Sequence, residues 1–318
     1  AQRVYLMLYK EMPYPIVRED QNCLVDLYVK IKNDYRLFAA KGATFTKEHC
    51  QLFARSRSPL YIRTSENETA EEYLNSYLND IISDPSIDPE VKAEIAYTSS
   101  LKSIRQIFQG LNRKTLVELE KTSGIVVRLI LADRTILNDL MKITSHDHII
   151  YKHSIRVGIY ATALAIHLFG GGTNGHNIPA LCTAFFLHDI GLTRVPKKIL
   201  DNKEPLSDAE WQVVKKHPIW GHDRLMNVNY LTSQSASVLL YHHERCNGSG
   251  YPFGKSGEDI PLYARICAIA DTFESLMSSP SGETRTPFEA LKIMQQELSG
   301  GFDPDLFRAF IMMLGPRS

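Results

Sequence analysis

Residues 179–191 read Pro179-Ala-Leu-Cys-Thr-Ala-Phe-Phe-Leu187-His188-Asp189-Ile190-Gly191, and the rest of the fold is worked out from this stretch. An apolar run with proline in its first turn reads as an apolar helix over Pro179–Leu187. His188 and Asp189 then fall together at its end, and Gly191 frees the backbone to turn away. An imidazole and a carboxylate are thereby brought near one point. Alone the pair is ordinary, since a histidine at a helix end also serves simply to cap carbonyls.

The distribution of histidine raises its significance. Ten of the eleven histidines lie between His146 and His243, leaving only His49 outside. His242-His243-Glu244 closes a second apolar helix, ahead of the loop Asn247-Gly248-Ser249-Gly250-Tyr251-Pro252. His217 stands at a helix junction marked by Pro218. His153 sits within a helix over Ile149–Phe169, on the face shared with Val157 and Tyr160. Asp271 is embedded in Ala268-Ile269-Ala270-Asp271-Thr272-Phe273, where a buried carboxylate needs a partner. These are five histidines and two aspartates from five helices. Histidine and carboxylate without thiolate suit Fe, Mn, Zn or Ni and argue against Mg or Ca. Seven groups exceed what one catalytic ion takes, so two ions are expected, activating a water for in-line attack on phosphorus.

Outward from this cluster the chain is helical. Apolar residues at i, i+3, i+4 spacing predict helices over Glu90–Gln109, Thr115–Leu131 and Ile136–Thr144. Further helices are expected over Asp208–Lys216, Pro218–Asn227, Ser233–His242, Leu262–Ser278, Pro287–Leu298 and Pro304–Leu314, with Gly170-Gly171-Gly172 closing the His153 helix and Ser207-x-x-Glu210 capping another. Before the break at Ser83–Pro89, Cys23–Ile31 and Tyr35–Ala40 predict a hairpin across Lys32-Asn33-Asp34. Leu60–Arg63 reads as a strand, Thr46–Arg55 and Ala70–Ile82 as helices. The expected organisation is a small α/β regulatory or interaction module over 1–84, a helical linker region packing on the bundle over 85–145, and a catalytic helical bundle over 146–318. The fold class is therefore mainly α.

Composition narrows the function. The 36 basic residues balance 36 acidic ones, so neither a nucleic-acid polymer nor an anionic membrane is an expected partner. No apolar run approaches the ~20 residues of a membrane helix, and Ala1-Gln2-Arg3 does not open a signal peptide. The five cysteines are scattered and never form C-x-x-C, which fits a reduced cytoplasm better than a disulfide scaffold.

The ordered set His188-Asp189-Ile190-Gly191, His217-Pro218, His242-His243-Glu244-Arg245 and Asn247–Pro252 resembles the HD-GYP family of the HD phosphohydrolase superfamily. Ile260-Pro261-Leu262-x-Ala264-Arg265-Ile266-x-Ala268-x-Ala270-Asp271 and Phe302-Asp303-Pro304 continue the likeness, which covers about residues 145–315. It implies a cytoplasmic phosphodiesterase of cyclic di-GMP using two divalent transition metals, Fe or Mn foremost, with Zn or Ni as alternatives. Carried over by position, His153, His188, Asp189 and Asp271 would hold one metal, and His217, His242 and His243 the other, with Asp189 bridging. Asp189 and His188 would be catalytic. Gly250, Tyr251, Arg285 and Arg194 would meet substrate. Protein partners would engage the N-terminal module or the Tyr251 loop.

Four positions depart from the family pattern. Leu192 replaces a lysine after Asp-Ile-Gly, Ile149 replaces a third-metal glutamate, Asn247 replaces an aspartate, and Ser279–Arg285 is a degenerate form of a basic segment that leaves Arg285 as its cation. They motivate a second reading, a protein that keeps its metals but has lost efficient catalysis and acts as a cyclic-dinucleotide-binding or protein-interaction module. A third is a phosphodiesterase of another cyclic dinucleotide. His146, His148, His167, His176 and His222 are read as capping, surface or structural. Trp211 and Trp220 are read as packing residues, Arg265 as paired with an acid, and Cys246 as no nucleophile.

Overall fold

The computed structural model describes residues 8–315 apart from 57–58, 134–135, 143–149, 171–174, 203, 231, 279–284 and 297. His146, His148, Ile149 and the segment 279–284 thus lie outside the described residues. The chain forms two compact units, Ala1–Ser99 and Ser100–Ser318. The division falls within a helix, whereas the sequence places its break at Ser83–Pro89.

The N-terminal unit carries a four-stranded antiparallel sheet in the order β1-β4-β2-β3, from Tyr9–Met12 (β1), Leu27–Ile31 (β2), Asp34–Ala39 (β3) and Leu60–Arg63 (β4). β2 and β3 form the expected hairpin, with Lys30 opposite Tyr35 and Ile31 opposite Asp34. Lys32 takes a positive φ of 58° in its turn. β1 had no strand signal, because Tyr-Lys-Glu-Met lacks alternation. Its pairing with β4, Lys10 opposite Ile62, makes it a strand. Helix α1 (Lys47–Ser56) begins where Thr46 Oγ1 accepts the His49 amide at 3.4 Å. The single helix expected over Ala70–Ile82 is two, α2 (Asn67–Ser76) and α3 (Leu78–Ser83), because Tyr77 leaves helical geometry at φ −103°, ψ 11°. Leu27, Leu60, Ile62, Ala70 and Ile81 are fully buried and make the core of this unit.

The second unit is helical. It follows α4 (Pro89–Gln109), within which the division lies, and comprises α5 (Arg113–Ala132), α6 (Ile136–Lys142), α7 (Ile150–Phe169), α8 (Ile178–Phe186), α9 (Lys197–Leu200), α10 (Asp208–Val214), α11 (His217–Asn227), α12 (Ser233–Tyr241), α13 (Leu262–Met277), α14 (Pro287–Gln296) and α15 (Pro304–Leu314). Asn112, Ser207 and Thr232 each cap a helix through a reciprocal side-chain pair with the residue three positions on. α7 packs against α8, α13 and α15, and α8 also against α5 and α12. Between them Phe185, Phe186, Phe273 and Phe310 are wholly buried. α8 is apolar on every side because neighbours cover it on every side. No described helix is long and apolar enough to cross a membrane.

Candidate metal centre

Helix ends position the site. α8 stops at Phe186, so His188 and Asp189 leave it just before a 3₁₀ turn over Ile190–Arg194. Gly191 is required there: a Cβ would overlap the carbonyl oxygen of His217 and press on the Gly221 amide, both backbone atoms that have little room to give. The absence of a side chain thus lets the start of α11 lie against the His188–Asp189 turn. α12 ends at Tyr241 and delivers His242 and His243, while α7 and α13 contribute His153 and Asp271 from their interiors.

All seven side chains predicted to ligate metal come together. Asp189, His217, His242 and His243 form one group and His153, His188 and Asp271 another, with the ligand atoms of each group within 4.8 Å of one another. Both carboxylates span the groups. Asp189 Oδ1 lies 3.2 Å from His217 Nε2 and 3.7 Å from His242 Nε2, while its Oδ2 lies 3.4 Å from His188 Nε2 and 3.7 Å from His153 Nε2. Asp271 Oδ1 lies 3.1 Å from His153 Nε2, and its Oδ2 3.5 Å from His243 Nδ1.

Three of the rings have a fixed tautomer. The Nδ1 atoms of His188, His217 and His242 face the carbonyls of Phe185 at 2.9 Å, Val214 at 2.8 Å and Val238 at 2.9 Å. A carbonyl only accepts, so each Nδ1 carries a proton and Nε2 is the nitrogen that each ring turns inward. The Nε2 atoms of His217 and His242 then face one another at 3.2 Å, an arrangement that a shared cation would relieve. His188 Nε2 is buried with no hydrogen-bond partner, and Asp189 Oδ1 also makes no hydrogen bond of normal geometry despite its imidazole neighbours. Inward Nε2 atoms, a hydrogen-bonded outer nitrogen on each ring and orphaned buried atoms fit a group able to hold metal.

The fourth ring is oriented by a residue that sequence reasoning missed. His153 Nδ1 contacts the carboxylate of Glu274, which is 1% exposed and also binds Arg156 Nε. Ser278 Oγ donates to Glu274 Oε1 at 2.6 Å and accepts from Arg156 Nη2 at 3.0 Å. The one local signal for Glu274 was its position three residues after Asp271, on the same face of α13.

The electrostatics follow from this packing. Burial opposes ionisation of Asp189, but His188, His217 and His242 outweigh it and hold the carboxyl well below its usual range. Asp271 is likewise held down against burial, chiefly by His153 and His243. Burial would strip the proton from His153, yet Glu274 and Asp271 keep it far above an ordinary imidazole, and Asp189 raises His188 against burial in the same way. Burial lowers His242, and His243 is lowered well below its ordinary value by burial and then by His242.

The loop after α12 is tied to the centre by Glu244, 1% exposed, whose carboxylate accepts the amides of Phe253 at 2.7 Å and Lys255 at 2.9 Å. A Cβ on Gly250 would overlap the Glu244–Arg245 backbone. The Tyr251 ring stacks on His243 at 4.7 Å and 24°. Burial pushes its hydroxyl well up, so it stays a donor.

The predicted substrate cations are less free. Arg194 lies 3.8 Å from Asp223 with both side chains exposed, and Arg285 Nη1 donates to the Leu276 carbonyl at 3.4 Å. Leu192 packs against the apolar cluster of Val195, Ile199 and Val214. Arg265 pairs with Asp303 at 2.5 Å, as expected, and burial raises the Cys246 thiol. Two expectations are corrected. Trp211 is 42% exposed, its ring meeting Tyr251 and the Lys215 ammonium, so it is no buried packing residue, whereas Trp220 does join the Val195 cluster. His176 is half-buried rather than fully at the surface: it stacks on Phe169 at 3.8 Å and shares a 2.8 Å hydrogen bond with the Tyr263 hydroxyl.

A family model described as HD domain matches residues 143–306. A cyclic di-GMP phosphodiesterase of Pseudomonas aeruginosa is 35% identical over 180 residues, 56% of this chain and 42% of that protein. A cyclic di-GMP phosphodiesterase response regulator of Xanthomonas campestris pv. campestris is 41% identical over 120 residues, 37% of this chain and 32% of that protein. A 3'3'-cGAMP-specific phosphodiesterase of Vibrio cholerae is 34% identical over 158 residues, 49% of this chain and 34% of that protein. The chain thus spans less than half the length of each of these relatives. Among solved structures, an HDG"Y"P protein from Bdellovibrio bacteriovorus shares the fold, with a TM-score of 0.69 at 23% identity over 96% of this chain and 99% of that one.

Proposed function

The chain belongs to the HD domain family, and on that premise we propose that its helical unit is a metal-dependent phosphodiesterase of cyclic di-GMP, built on two transition-metal ions. The observation that carries this reading is the pair of Nε2 atoms of His217 and His242 facing each other at 3.2 Å beside Asp189. In this reading His153, His188 and Asp271 hold one ion, His217, His242 and His243 the other, and Asp189 reaches both. An all-nitrogen-and-oxygen donor set suits Fe, Mn, Zn or Ni, and the family resemblance puts Fe or Mn first. Two such ions would polarise the phosphoryl group, acidify a water and neutralise developing charge.

The chain's own residues do the rest. Backbone carbonyls fix three rings, so little reorganisation is needed when substrate arrives. Asp189 and His188, the catalytic pair of this reading, are buried and would hold the ions that activate the attacking water. The Tyr251 hydroxyl donates to a phosphate oxygen, with Gly250 allowing close backbone approach. Arg194 and Arg285 supply outer positive charge. The segments 1–84, 85–145 and 146–318 act as regulatory module, helical linker and catalytic domain. Protein partners dock on the first of these or on the Tyr251 loop, and the cytoplasm is where such a substrate is met. Elemental analysis of anaerobically purified full chain should find two ions, and chromatography should follow cyclic di-GMP to the linear dinucleotide or GMP. No turnover with Fe or Mn fully loaded refutes the enzymatic reading.

Leu192 favours a second reading. An apolar side chain packed on Val195, Ile199 and Val214 replaces a cation beside the centre, which suits a metal-retaining binding or interaction module of low activity. Leu192→Lys raises turnover from near zero under this reading and leaves it unchanged under the first.

A further inference from the structure

Beside the metal centre stand two side chains that the seven ligands leave unused, Trp211 and Lys215. They lie four residues apart, so the same side of α10 and its end presents both. Trp211, 42% exposed, meets the Tyr251 ring at 6.3 Å and 73°. Tyr251 in turn stacks on His243 and lies edge-on to His217 at 6.4 Å. Trp211 and Tyr251 thus make a row from solvent to the ligands His243 and His217.

Lys215 is half-buried, its ammonium 5.9 Å from the Trp211 ring and 5.5 Å from the Tyr251 ring. Among the described residues no carboxylate pairs with it. Three other cations of this unit are engaged: Arg194 with Asp223, Arg265 with Asp303, and Arg245 with Thr272 and the face of Phe302. Aromatic faces hold an ammonium in place but do not neutralise it. A fixed, uncompensated cation next to a metal pair is suited to a second anion, and an exposed indole beside it to a flat ring.

Resting on the phosphodiesterase reading, we infer that Trp211, Lys215 and Tyr251 form a nucleotide subsite, Lys215 taking the phosphate that is not cleaved and Trp211 stacking on a base. A cyclic dinucleotide has two phosphates and two bases, so one phosphate on the metals leaves the other and its base to be met here. Stacking reads any purine, so the subsite selects dinucleotides over simple phosphodiesters without separating one purine from another.

The test uses metal-loaded full chain carrying Lys215→Gln or Trp211→Ala, with cyclic di-GMP and bis(p-nitrophenyl) phosphate as substrates. Each variant should raise KM for cyclic di-GMP about tenfold, as expected for a lost contact to a charged group. kcat, metal content and turnover of the simple diester should stay at parent values. Unchanged KM, or an equal loss on both substrates, overturns the subsite. Trp211 and Trp220 are the chain's two tryptophans, so Trp220→Phe leaves Trp211 as the sole tryptophan, excited at the red edge where tyrosine does not absorb. If no cyclic dinucleotide is cleaved, the phosphodiesterase reading fails, but saturable quenching of Trp211 by cyclic di-GMP that Lys215→Gln weakens still supports the subsite. No saturable quenching by cyclic di-GMP or its linear product overturns it.

Discussion

Replacing Glu274 should damage both the fold and the metal centre, and the structure sets the scale. The carboxylate is 1% exposed and meets His153, Arg156 and Ser278, while Arg156 is itself 5% exposed. Burial works against its ionisation, but His153 and Arg156 outweigh it and hold the carboxyl near 2 instead of an ordinary 4.5. At 1.36 kcal/mol per decade of proton affinity, that depression is worth roughly 3 kcal/mol. Glu274→Ala also strands a buried guanidinium, which puts its cost at about 3–5 kcal/mol. For a unit the size of Ser100–Ser318, melting falls about 2–4 °C per kcal/mol, so a drop of roughly 10 °C is expected. Because the folded-state value is depressed, this stabilisation is complete above the unfolded carboxyl's range and is lost as pH falls toward 2. Parent and Glu274→Gln melting curves should therefore converge in acid. With the His153 ring no longer held by a carboxylate, metal affinity in a chelator competition should weaken about 10–100-fold. A Glu274→Ala protein that melts within about 2 °C of the parent and binds metal as tightly would falsify the account.

Three further outcomes follow from the same geometry. His153 and His188 hold their protons above the usual imidazole range, so metal must displace protons and apparent affinity should fall from pH 8 to pH 6; a pH-independent affinity, or no proton release in weakly buffered titration, contradicts this. Gly191→Ala pushes a methyl group into the His217 carbonyl and should cost about 2–3 kcal/mol together with metal retention, read by thermal melting and elemental analysis. Glu244→Ala frees the Phe253 and Lys255 amides, so limited proteolysis should cut within 247–256 faster than in the parent while far-ultraviolet circular dichroism is unchanged; equal cleavage rates would show that the carboxylate does not hold the loop.

Much of this was legible in the chain because its signals are local. Helix periodicity, capping by Ser207 and Thr46, and the break before Glu90 all act within a few residues. The same holds for histidines placed where apolar helices stop. What stayed hidden depends on partners distant in sequence. β1 is a strand because β4 lies beside it, and Tyr77 divides a helix whose apolar pattern runs on. Glu274 is one of 36 acidic residues, and nothing nearby shows that Arg156 and His153, more than a hundred positions earlier, are its partners. Trp211 reads as a packing residue until its exposure is known.

The backbone tethers on the imidazoles bear on how such a centre can decay. His188, His217 and His242 are aimed by peptide carbonyls of their own turns. No point mutation deletes a carbonyl, so these three aims survive sequence drift for as long as their helices do. His153 is aimed by a side chain, and Glu274 is erasable by a single codon change. Loosening of the centre over evolutionary time would therefore start on one side, among His153, His188 and Asp271. Under the two-ion reading, the His217–His242 side would persist as a single-ion site after the other had been lost.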